Sequence, residues 1–415
     1  MTRKSILMRG LCLFSLCISS LLYAECSVKK GVFEGSPAIV MESELIRVTI
    51  VPELSGRIAE YIWKPLGCNN FLRYRVKKGT ALIPGAEIME SNFGGFKDLI
   101  WEHRIRRAER RYNYEIIKEK GESASVKVYF PEKSLRITRT MTIFEKSSEL
   151  KIDVALTNTG EKPEILSYWA HTMVTVGGDY NPEEDYNYIP LRKNKKTSAG
   201  GHRLTTVEDD NIFAGMPENG YYPPKQPWCA VIDKPKKLLY AQIVSLEQLG
   251  ETGAFHIWTG GGIWEKYRLS QEVIFAPWKY EKNQTREYNI SIVMVQGMDK
   301  VTYVNRYLVL DIDPLSKTIF QRGEKIPLTL KLSSPREDTK IKLLMYLVDS
   351  KGRRYKGSAI DLSNLTPKQT VIREVRLNTD DCPLGSYKIK VLMKNNMDKE
   401  VDEFELLGFD VIVKE

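Results

Sequence analysis

Histidine and cysteine are the scarce chemistry-bearing residues of this chain, four and six in 415 positions. No Cys/His spacing matches a zinc site. No Gly-x-Ser-x-Gly step marks a serine hydrolase. The glycine run 260–262 lacks the Lys-Ser/Thr and the following helix of a phosphate loop. Beyond residue 24 no stretch reaches the roughly 18 consecutive apolar residues of a membrane helix. Helical periodicity is nearly absent as well. KVTYVNRYLVLD, residues 300–311, is the one short candidate, and it reads equally well as strand.

What remains is a charged, strand-forming chain. The first 24 residues have a basic start (Arg3, Lys4, Arg9) and the short apolar run LCLFSLCISSLLYA, the pattern of a secretory signal cleaved after Ala24. Without it, the net charge falls from +9 to (62 − 3) − 53 = +6, ordinary for an exported protein. Cys12 and Cys17 leave with the signal. Cys26, Cys68, Cys229 and Cys382 then allow three pairings in an oxidising compartment; Cys26–Cys68 would tether the new N-terminus to the first hairpin. HRIRRAERR, 103–111, is a dense arginine run. Export argues against nucleic acid, so the run reads as a solvated face or as a contact for an acidic polysaccharide.

Short β-branched and aromatic runs recur throughout, as in SVKVYF (125–130), KLLYAQIVSL (237–246) and EYNISIVMV (287–295). The stretch 135–178 is the most regular. RITRTMTIF alternates, a polar turn follows, and ELKIDVALTN alternates again with Leu150, Ile152, Val154 and Leu156 on one face. After a Gly/Asn/Pro turn, a third run carries Trp169 and His171. The reading is all-β, a meander ending in a histidine beside aromatics. Past Asp313-Pro314, five to seven closely spaced strands read as an immunoglobulin-like sandwich, a spacer or a docking surface for protein contacts. The expected units are 1–24 (signal), 25–308 and 309–415.

In order and content, residues 135–178, the opening hairpin SELIRVTIVPELSGRIAEYIWK (43–64) and NFGGFKDLIW (92–101) together resemble the galactose mutarotase-like superfamily. The resemblance spans about residues 35–300 and implies an N-terminal β-supersandwich that binds or modifies a saccharide, without cofactor or metal. It further implies His171 as the acid on the ring oxygen and Glu272, with Glu265 second, as the base on the anomeric hydroxyl. Arg57 would lie near the sugar, its fork suited to paired hydroxyls or a carboxylate. The family's second histidine is replaced by Phe93, which weighs against mutarotation while leaving sugar binding.

Aromatics of two segments expected to be loops, 211–228 and 256–264, supply a stacking platform: Tyr221, Tyr222, Trp228, Trp258 and Trp264, with Trp169 beside the histidine. The alternatives are an active aldose 1-epimerase, a polysaccharide lyase acting on uronic sugars, and a non-catalytic envelope or assembly protein. The carboxylates of DYNPEEDY (179–186) lack the spacing of a calcium loop.

Overall fold

The structure, a computed structural model, describes residues 25–72, 94–101, 111–131, 134–193, 211–215, 219–260 and 268–415. The protein is all-β: among the described residues, one four-residue helix (Leu246–Leu249) and two 3-10 turns interrupt the strands. No helix among them is long and apolar enough to cross a membrane.

Two large antiparallel sheets, of twelve and nine strands, enclose one core. Alternation builds it. On Leu150–Asn158 every second side chain is buried, and Leu150, Ile152, Val154 and Leu156 all point into the layer between the sheets. Six strands of the twelve-stranded sheet carry the site: β1 (Arg57–Trp63), β2 (Gly95–Trp101), β3 (Glu164–Val174), β4 (Gly220–Tyr222), β5 (Ala254–Gly260) and β6 (Arg268–Ile274). Their spatial order is β4-β5-β6-β3-β2-β1. Residues 254–260 are thus strand rather than loop. The segment 300–311 is also extended, with strands Tyr303–Val304 and Val309–Ile312.

A second core joins a four-stranded and a five-stranded sheet and draws on residues from Tyr303 to Val413. It is seated against the outer face of the nine-stranded sheet. There Val293 and Val295 meet Met298, Val301, Val304 and Val309 in a common apolar cluster. Next to this seam, fully buried Glu149 takes Arg306 at 2.9 Å and Arg336 at 2.6 Å, and accepts from Ser291 Oγ at 2.8 Å. Two arginines and a hydroxyl are what a carboxylate needs to sit there without water.

All four described cysteines are free. A Cys26–Cys68 bridge is sterically excluded. Cys26 is on the strand Cys26–Phe33, three places from β1 in the sheet, while Cys68–Asn69 pairs beyond β1. Neighbouring strands lie about 4.8 Å apart, so the gap far exceeds the roughly 7 Å limit between bridged Cα atoms.

Candidate functional site

Cross-strand register makes the site. On β3, Tyr168, Ala170, Thr172 and Val174 face the core, so Trp169, His171 and Met173 face outward. The pairs Trp169↔Ile274 and Met173↔Ser270 bring His171 level with Glu272. His256 pairs with Glu272 on the other side, and Tyr221 with His256. Toward the opposite edge, His171 pairs with Lys97, and the pairing Ile58↔Phe96 sets Arg57 level with Lys97. One row therefore crosses six strands: Arg57, Lys97, His171, Glu272, His256, Tyr221.

At the centre of the row, Glu272 is clasped by two histidines. His171 Nε2 lies 3.4 Å from Oε1, and His256 Nδ1 lies 3.2 Å from Oε2. Ser270 Oγ donates to Oε1. Only the histidine edges reach solvent: the side chains of His171, His256 and Glu272 are 20%, 14% and 3% exposed. His256 is held by aromatics, with Tyr221 tilted across its ring at 4.5 Å and Trp169 edge-on at 5.7 Å. Sequence reasoning missed His256. Its signal was the strand alternation of AFHIW, which points His256 and Trp258 to one face.

Electrostatics follow from this enclosure. Burial pushes His171 down from 6.5 to about 4; Glu272 opposes the shift, while Lys97, Arg57 and His256 add to it. Burial alone would raise Glu272, but His171, His256 and Ser270 outweigh it and hold the carboxyl below its ordinary value. At neutral pH the pair is a neutral imidazole beside a carboxylate. A histidine lowered on folding leaves the unfolded chain binding the extra proton between about 6.5 and about 4. Stability is then expected to fall as the pH drops through that window. Urea titrations across it should show a shallower slope for His171→Gln; an unchanged slope would mean His171 is not the group responsible.

The other expected contacts divide. Arg57 is buried, and its Nη1 donates to the Gly94 carbonyl at 2.9 Å, at the end of the row. Trp169 and Trp258 are half-buried on the outward face. Tyr222 and Trp228 cannot form a platform. Tyr222 is 1% exposed and packs on Phe213 inside the main core. Trp228, fully buried, lies in the apolar seam under the second core, its indole N–H donating to Gln226 Oε1 at 3.0 Å. Both face away from the row, because strand alternation turns their rings inward or into the seam. Trp264, Glu265, Phe93, His103 and the signal lie outside the described residues, as does nearly all of the arginine run.

Among the described residues no group of three or more His, Cys, Asp or Glu side chains is arranged to hold a metal ion. In the acidic loop, Asp185 and Glu184 instead accept from Asn181, at 2.7 and 2.8 Å.

No family model matches the sequence, and no curated protein matches it. Among solved structures the chain is similar to a galactose mutarotase-like protein from Clostridium acetobutylicum: 12% identity, TM-score 0.47, covering 66% of this chain and 99% of that one. It is also similar to a TPR-domain containing protein from Parabacteroides distasonis, at 10% identity and TM-score 0.45, covering 64% of this chain and 47% of that one. A polysaccharide lyase is similar over 94% of this chain and 47% of its own length, at 14% identity and TM-score 0.33. The chain thus spans about half the length of the latter two. At such identities and scores, what the site does rests on its own geometry.

Proposed function

We propose that the outward face of the twelve-stranded sheet is a saccharide site and that His171 and Glu272 are its proton-transfer pair. The observation that carries this reading is the His171–Glu272–His256 clasp on a solvent-reached face, with Trp169 and Trp258 on the same side. A pyranose lying over the row would set its apolar face on an indole and its oxygens over the histidine edges. The chain is exported in this reading, and the second core is an immunoglobulin-like module for protein contacts.

Opening a hemiacetal ring needs an acid on the ring oxygen and a base on the anomeric hydroxyl. Glu272 supplies the base. His171, neutral at pH 7, is a poor acid there, so aldose 1-epimerase activity is expected to be weak and to rise below neutral pH.

A second reading is favoured by Lys97 and Arg57, level with each other beside a neutral imidazole. In a uronic saccharide Lys97 would neutralise the carboxylate, with buried Arg57 behind it, and His171 would take the proton next to it. The C–O bond to the leaving sugar on the adjacent carbon then breaks, leaving a double bond. The departing oxygen takes its proton from solvent water, while His171 keeps the one it abstracted. This is the lyase version.

A glycan array probed with the mature protein tests the shared premise. Binding of neutral or uronic oligosaccharides, lost in His256→Ala/Trp258→Ala, is the expected result. Wild-type binding to no saccharide would end both versions and leave an assembly role.

A further inference from the structure

Directly behind the His171–Glu272 pair the sandwich interior is polar. Thr172 and Gln271, the next residues along β3 and β6, point inward, both fully buried. The β3–β6 ladder pairs Ala170 with Val273 and Met173 with Ser270, but its pairing lapses at the two steps between, His171/Glu272 and Thr172/Gln271. From the facing sheet, on the strand Leu238–Val244, fully buried Gln242 reaches across the layer. Its Nε2 donates to the Gln271 carbonyl at 2.9 Å and to the Tyr240 hydroxyl at 3.1 Å. Three atoms are left over. Both amide atoms of Gln271 and Oε1 of Gln242 are buried without a hydrogen-bond partner among the described residues, and the Thr172 hydroxyl has only that of Tyr240 beside it.

Such a set is costly if dry. Each buried, unsatisfied polar group forfeits its hydration, and native interiors contain few of them. Water, which both donates and accepts, fits a mixed set of donors and acceptors that no single ion would satisfy. Buried waters make two to four hydrogen bonds to groups of this kind.

We propose that Thr172, Gln271, Gln242 and Tyr240 hold a cluster of ordered waters at the interrupted seam between β3 and β6, immediately behind the His171–Glu272 pair. The cluster backs an enclosed carboxylate with hydrogen-bonding groups instead of hydrocarbon. Its existence does not depend on which ligand the outward face takes.

Gln271→Leu tests it by sign. If waters bridge the amide, the apolar side chain strips them of partners and also strands Gln242; Tm is expected to fall by about 2–4 °C or more. If the chamber is dry, leucine removes two unpaired polar atoms and Tm rises, which would overturn the proposal. The wild-type protein gives a second measurement that is independent of how the variant folds. Water-to-protein cross-relaxation at the side-chain amide protons of Gln242 and Gln271 is expected, with density for water in a high-resolution crystal structure. Neither signal at Gln271 would also overturn it.

Discussion

Replacing Asp98 with asparagine is expected to cost about 3–5 kcal/mol of folding stability, the scale for leaving one member of a buried ion pair uncompensated. Asp98 lies on β2 with its side chain turned into the sandwich, opposite in sense to its neighbour Lys97. Arg139, on the strand Leu135–Phe144 of the facing sheet, donates to its Oδ2 at 2.7 Å, and the two side chains are 0% and 1% exposed. Tyr168 donates to Oδ1 at 2.8 Å, and Arg139 donates also to the Gly56 carbonyl. The pair spans both sheets, and through Asp98 and Tyr168 it pins the two strands that present Lys97 and His171. Asparagine keeps the shape but strands the guanidinium. Removing both charges together, Asp98→Leu with Arg139→Met, is expected to recover most of the loss, since well-packed apolar pairs often equal a buried ion pair. Urea denaturation gives the comparison: a midpoint shift worth less than about 1 kcal/mol for Asp98→Asn would show that water reaches the pair.

The second large effect is on chemistry. Glu272→Gln conserves size and can still accept from Ser270, but it cannot take a proton. If the site turns over a saccharide, the rate is expected to fall by about 10²–10⁴-fold, the usual worth of a positioned acid or base. Affinity for the same saccharide should stay within a few fold. His171→Asn should give a loss of the same order, and the double variant little more than either single one, because the two act as a unit. Polarimetry reads anomer exchange, and the ultraviolet absorbance of an unsaturated uronate reads elimination. Turnover by the glutamine variant equal to wild type would remove Glu272 from the chemistry; equal loss of affinity and rate would make it a binding residue only.

Alternation alone determined much of this protein. Period-two patterning over 135–158 marks which side chains enter the core, and the near absence of helical periodicity leaves an all-β chain. A strand's own pattern tells which residues share a face, so His171 falls on the same face of its strand as Trp169. That this face is the outward one comes from the packing. Nor does the pattern tell what lies across from His171. Tyr222 and Trp228 show the limit: exposed aromatic loops and buried aromatic strands have the same composition, and only packing separates them. Arg139 shows it again. An arginine on an inward register reads as a break in the pattern until Asp98, 41 positions away, is found opposite it. His171, His256 and Glu272 come from three strands as much as 101 positions apart. Their meeting is decided by sheet order and register, which are set by the summed packing of both sheets rather than by any local run. Sequence determined the faces; tertiary structure decided the neighbours, because hydrogen-bonded pairing between distant strands is a property of the closed sandwich alone.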